Sequence, residues 1–215
     1  MAEYMLKPLS GKAPRALVLF LHGVGANGRD LLSLGEAWQQ GFPDVCFVSV
    51  DAPHVFDMAS QGEGAFQWFS LRDFSLNAVR DGVMEAAPDF YRYLDDLQKR
   101  VGVSSAQTFL CGFSQGAMMA LYAGLRTSEL LGGVIAYAGI LLSLETLPKV
   151  LPPIALIHGD ADMVVPVTAS DTADVHLTKI GAKHAYSRIR GLGHGIDNEA
   201  LARGAQALHD WLNPA

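Results

Sequence analysis

Phe109-Leu110-Cys111-Gly112-Phe113-Ser114-Gln115-Gly116-Ala117-Met118-Met119-Ala120 decides the fold. An apolar run ends at Gly112 and a helix-forming run begins at Gly116, leaving Ser114 between two glycines. The spacing G-x-S-x-G has a steric cause. A strand that turns abruptly into a helix holds its serine in a strained conformation, and side chains two residues to either side would collide with the turn. The hydroxyl is pushed into the open beside a helix N-terminus, whose unpaired N–H groups favour negative charge. A serine that merely capped the helix would need neither glycine.

The surrounding chain supplies the rest of such a fold. Apolar runs recur at 16–21, 45–50, 107–111, 133–138, 154–158 and, less purely, 185–190. Near-continuous apolar runs mark strands covered on both faces of a parallel sheet. Helical spacing fills the intervals at 29–40, 78–100, 115–126, 168–180 (closed by Gly181) and 197–212. The alternation predicts an α/β chain of one domain over 1–215, with a doubly wound, mostly parallel sheet flanked by helices on both faces. Pro88 inside 78–100 is expected to kink that helix or to start a second one at Asp89. Residues 51–77 lack clean periodicity yet carry Phe56, Phe66, Trp68, Phe69 and Phe74, so they are read as a functional loop that lines a substrate site.

Composition narrows the classes. Of 215 residues 50% are hydrophobic and 18% charged, which excludes disordered and fibrous chains. Sixteen basic against 22 acidic residues give a net charge of −6, and no Lys/Arg cluster offers a nucleic-acid footprint. Cys46 and Cys111 sit in apolar runs and read as buried free thiols. No metal-type Cys/His spacing is present. The run 16–21 is too short for a signal peptide core or a membrane span, and a cytoplasmic protein is expected.

A serine nucleophile needs a base and a group to orient that base. The loop after 154–158 reads Gly159-Asp160-Ala161-Asp162-Met163-Val164-Val165-Pro166. Asp162 lies further into the loop and is assigned the acid. Asp160 competes, and its position after Gly159 suits it better to capping the turn. Gly191-Leu192-Gly193-His194-Gly195 follows the next strand and offers His194 as the base. His158 reads as a structural histidine at the end of a buried strand, and His54 as a candidate lining residue in the long loop. Attack on a carbonyl also needs two preorganised donors for the developing oxyanion. The Gln115 N–H supplies one. The glycine-rich loop His22-Gly23-Val24-Gly25-Ala26-Asn27-Gly28 should supply the other. Read instead as a dinucleotide loop, with Asp51 near the required acidic position, it leaves Ser114 and His194 unexplained.

Together His22-Gly-Val-Gly25, Gly112-Phe-Ser-Gln-Gly116, His158-Gly-Asp-Ala-Asp162 and Gly193-His194-Gly195 resemble the phospholipase/carboxylesterase family of α/β-hydrolases, from about Arg15 to Trp211. The resemblance implies Ser114, Asp162 and His194 as catalytic residues, and Val24 and Gln115 as backbone oxyanion donors. It implies a hydrolase of small-molecule esters or thioesters that needs no cofactor, with a minimal lid or none and with homodimers among its relatives. The family's Pro-x-Trp stretch corresponds to Ala65-Phe66-Gln67-Trp68-Phe69, where the proline is missing. Ala26 stands where the thioesterases carry an acid. Candidate substrate contacts are Phe66, Trp68, Phe69, Ile140 and Val165. Short- to medium-chain carboxylic esters are the expected substrates, with thioesterase, lysophospholipase and non-catalytic binding roles as alternatives.

Overall fold

The computed structural model describes residues 1–60, 63–142, 147–148 and 150–214. The six apolar runs all become strands: β2 Ala16–Leu21, β3 Val45–Val50, β6 Thr108–Phe113, β7 Gly133–Tyr137, β8 Ile154–Gly159 and β9 His184–Ile189. The expected 107–111 strand is displaced toward its C-terminal end. It runs on through Gly112 to Phe113, which puts Gly112 in register with Leu21 and Ala136.

One strand of the main sheet was not anticipated. β1, Glu3–Leu6, pairs antiparallel with β3, while the other neighbours in the sheet pair parallel. It lies at the sheet edge with one face half-buried, so it lacks the continuous apolar run that identified the others. Among the described residues the sheet has seven strands in the order β1-β3-β2-β6-β7-β8-β9.

The helices are α1 Gly28–Trp38, α2 Leu76–Val101, α3 Gln115–Gly124, α4 Thr168–Lys179 and α5 Asn198–Leu212. Side-chain alternation along the strands explains why both faces are covered. Leu17, Leu19 and Leu21 of β2 join the core under α2, α3 and α4, whereas Ala16, Val18 and Phe20 join the core under α1 and α5. All six are 0% exposed, and each large one stabilises the fold by roughly 1.5–3 kcal/mol through burial. Gly181 closes α4 as expected. At φ 69 it donates to Thr178 O while Ala182 donates to Leu177 O, the paired bonds of a Schellman turn.

Pro88 does not start a second helix at Asp89. α2 runs unbroken through it, and Val79, Val83, Ala87, Phe90, Leu94 and Leu97 keep one buried stripe across the proline. The ring lies on the solvent side, where water can satisfy the carbonyl it leaves unpaired.

The loop expected over 51–77 contains a small hairpin, β4 His54–Val55 with β5 Phe66–Gln67. Residues 61 and 62 within it lie outside the described residues.

The strand order fixes where a site can form. From β2 the chain steps outward to β3, then returns to place β6 on the other side of β2. This reversal leaves a crevice at the C-terminal ends of β2 and β6, where open α/β sheets bind ligands. The loop 22–27 leaves β2 there and Ser114 leaves β6 there.

Candidate active site

The turn at Ser114 is strained. Ser114 has φ 53 and ψ −117, and its side chain makes no capping bond to α3. Its backbone is held from both sides. Its N–H donates to Tyr137 O at 2.9 Å, and its carbonyl accepts from Ala117 and Met118. A Cβ on Gly112 would come within 2.3 Å of Gly116 O, and one on Gly116 within 1.9 Å of Leu21 O. Both glycines are therefore demanded by backbone contacts.

His194 connects the expected partners. Its Nδ1 is 2.7 Å from Asp162 Oδ2, and its Nε2 is 3.0 Å from Ser114 Oγ. An ionised carboxylate only accepts, so Nδ1 carries the proton and Nε2 turns its lone pair toward the serine hydroxyl. Phe113 packs against the imidazole with ring centroids 4.9 Å apart.

The loops carrying Asp162 and His194 are laced together. Asp160 N–H donates to Ile189 O, Ala161 N–H to Leu192 O, and Gly191 N–H to Asp160 Oδ1 at 2.6 Å. Asp160 thus ties one loop to the other instead of capping its own turn. Gly159 sits where they cross, and a Cβ there would lie 2.1 Å from Leu192 O.

Burial works against the charged form of Asp162. The His194 hydrogen bond and the N–H groups of Val164 and Val165 outweigh it and hold the carboxyl below the usual carboxylate range. His158 is buried and structural, as expected, bonding to Ser170 Oγ through Nδ1 at 2.7 Å and to Val165 O through Nε2 at 2.9 Å.

Opposite Ser114, the His22 ring organises the glycine-rich loop. Ala52 N–H donates to its Nε2 at 2.9 Å, which leaves the ring proton on Nδ1, and that nitrogen lies 2.7 Å from Gly23 O. The Gly23 carbonyl also accepts from Ala26. In a trans peptide the N–H points opposite to the carbonyl, so pinning Gly23 O turns the Val24 N–H away from the ring. Neither the Val24 nor the Gln115 N–H has an acceptor among the described residues. Sequence reasoning missed this use of His22, although its place at the strand end before Gly23 was visible.

Burial lowers the His22 pKa, with the Gly23 bond and the Asp51 and Asp30 charges opposing only in part. As pH falls, the unfolded chain therefore takes up this proton before the folded one does. The stability His22 contributes is complete above its unfolded pKa of about 6.5 and is lost as pH drops toward the folded-state value. Urea unfolding should show a lower midpoint near pH 5 than near neutrality, and His22→Asn should narrow that gap. An equal gap in both proteins would refute the assignment.

A cavity of about 530 Å³ opens beside Ser114 and His194. Val24, Leu31, Leu34, Val164 and Ile196 give it apolar walls, and Asp30 and Ser33 add polar groups from α1. The sequence reading placed the substrate wall elsewhere. Trp68 and Phe69 are 2% and 5% exposed and do not line this cavity. They sit in the core, where Trp68 packs edge-on against Phe90 and Phe69 lies against Gly82. Phe66 is half-buried in β5, Ile140 packs against the core, and Val165 is buried beside Val164, which does reach the cavity. His54 is exposed in β4 and also lies outside the lining. Of the aromatics of this loop, Phe74 is exposed and also lies outside the lining. Leu31 and Leu34 were legible only as a helix stripe, and nothing in that spacing separates a core face from a cavity wall.

Both cysteines are free and buried, and burial pushes the Cys46 thiol up to about 11. Among the described residues no cluster of His, Cys, Asp and Glu is placed to hold a metal, and no helix is long and apolar enough to cross a membrane.

Comparison with known proteins agrees with this architecture. Residues 9–212 match the phospholipase/carboxylesterase family. The chain belongs to that family. Among curated members, esterase YpfH of Escherichia coli K12 is 32% identical over 190 residues, covering 88% of this chain and 80% of the relative. Acyl-protein thioesterase 1 of Neurospora crassa is 30% identical over 213 residues, covering 92% and 85%. The crystal structure of esterase PE8 superposes with a TM-score of 0.90 at 40% identity, covering 97% of this chain and 98% of that one. This phospholipase/carboxylesterase member is accordingly an enzyme, a hydrolase of the carboxylesterase/thioesterase type with the α/β-hydrolase fold.

Proposed function

We propose that the protein cleaves carboxylic esters of short to medium acyl chain through an acyl-enzyme on Ser114. The observation that carries this reading is the unbroken relay Asp162–His194–Ser114, at 2.7 and 3.0 Å, opening on an apolar cavity. His194 Nε2 accepts the Ser114 proton as Oγ bonds to the acyl carbon. The carbonyl oxygen becomes an oxyanion facing the N–H groups of Val24 and Gln115. Collapse of this intermediate breaks the bond to the alcohol, which leaves with the proton held by His194. A water then gives its proton to His194 and attacks the acyl carbon, which releases the acid and restores Ser114. Asp162 keeps the imidazole in the required tautomer and stabilises its charged form.

Thioesters fit the same steps, since a thiolate leaves more readily than an alkoxide. The relatives named acyl-protein thioesterases support testing that arm. A fluorophosphonate probe should add one phosphonyl group per chain, on Ser114. kcat/KM for p-nitrophenyl esters from acetyl to hexadecanoyl, with matched thioesters, should peak among the shorter chains. Absence of a Ser114 adduct would favour a binding module. A maximum at hexadecanoyl would overturn the chain-length reading.

A further inference from the structure

The aromatic segment after β4 bonds to both halves of the oxyanion hole proposed above, on whose reading this inference rests. On one side it holds the loop that carries Val24. Gly25 N–H donates to Phe66 O at 2.8 Å, and Phe66 N–H to Ala26 O at 2.8 Å. Trp68 Nε1–H donates to His22 O at 2.9 Å. On the other side it is gripped by the residue that supplies the second donor. Gln115 Oε1 accepts the Trp68 N–H at 2.9 Å, and Gln115 Nε2–H donates to Phe69 O at 2.7 Å.

Gln115 is 0% exposed and Trp68 2%, so water cannot replace these bonds when one is removed. The Val24 and Gln115 N–H groups lie far apart in sequence and on different strand ends. The residues 66–69 and the Gln115 amide form a bridge between them.

We propose that this bridge sets the separation of the two oxyanion donors, with Trp68 and the Gln115 side chain as positioning residues. Gln115 then acts twice: its backbone N–H faces the oxyanion, and its side chain holds the segment that holds the other donor. The aromatic residues contribute through the backbone they hold and not by touching the acyl group. The oxyanion exists only in the transition state and tetrahedral intermediates. Loosening the bridge therefore lowers kcat and leaves substrate binding unchanged.

Two variants test this. Trp68→Phe keeps an aromatic ring against Phe90 and removes the indole N–H. Gln115→Glu keeps an oxygen for the Trp68 N–H and removes the donor to Phe69 O. With p-nitrophenyl butyrate, each should lower kcat about tenfold or more, with KM within about twofold, since loss of a whole oxyanion donor costs about 10²–10³. The Ki of an alkyl trifluoromethyl ketone, whose adduct with Ser114 carries the same oxyanion, should rise by the factor that kcat/KM loses. Three outcomes overturn the proposal: unchanged kinetics in Trp68→Phe; a rise in KM at constant kcat, which would make the segment a substrate contact; and a loss of kcat with no change in Ki, which would mark a general structural effect. Ser114→Ala separates the two readings. Activity surviving in Ser114→Ala defeats the hydrolase mechanism itself, whereas an inactive Ser114→Ala beside an unaffected Trp68→Phe defeats only the bridge.

Discussion

Ser114→Ala is expected to lower kcat/KM for a p-nitrophenyl ester by at least about 10⁴, because removing a nucleophile that acts as a unit with its base abolishes nearly all the covalent route. What survives would come from water attack assisted by the Val24 and Gln115 N–H groups. The fold should be nearly untouched. Alanine keeps the backbone at φ 53, so the strain at the elbow persists, and the loss is confined to the 3.0 Å contact with His194. Such a net hydrogen-bond loss costs about 1 kcal/mol, small beside the activity change. Ser114→Gly makes the complementary case. It is equally inactive, but glycine adopts positive φ freely, so its urea midpoint should lie above that of Ser114→Ala. Residual activity within tenfold of wild type in either protein would remove Ser114 from the mechanism.

Much of this arrangement was visible in the chain, for identifiable reasons. β2 and β8 are buried on both faces, and such strands leave unbroken apolar runs that no turn or surface helix imitates. The elbow was visible because steric exclusion acts directly on residue type, and only glycine passes at 112 and 116. Asp162 and His194 followed from the same topology, since both lie on loops that leave the C-terminal ends of adjacent strands. β1 was hidden because an edge strand of four residues with one solvated face has almost no pattern. Trp68 and Phe69 lie in the core and outside this cavity's lining, which the sequence could not show for another reason. A large aromatic suits a core and a binding wall equally, and its direction depends on partners distant in sequence, here Phe90, Gly82 and the Gln115 amide. The role of the His22 ring was hidden likewise, because its partner Ala52 lies at the end of a different strand.

Gly116→Ala should be the most damaging small substitution for folding. The added methyl would sit 1.9 Å from Leu21 O, 2.4 Å from Leu21 C and 2.6 Å from His22 O. All three are backbone atoms at the C-terminal end of β2, a strand hydrogen-bonded on both sides, so none can rotate away as a side chain would. Relief requires α3 to lift from the sheet. Its residues from Ala117 to Leu121 are buried, and separating them from the strands would expose much of one core. Overpacking of an adaptable site costs about 1–3 kcal/mol. Here the rigid partner and the central helix place the expected cost above that range, against a total stability of about 5–15 kcal/mol. Gly195→Ala is the matched control. Gly195 also flanks a catalytic candidate, but a Cβ there meets nothing within 4 Å, and its φ is not positive. That substitution should shift stability by no more than about 0.5 kcal/mol. Urea midpoints of the two variants decide the matter. A Gly116→Ala protein as stable as Gly195→Ala would mean that α3 is not held against β2 as closely as the contact distances require.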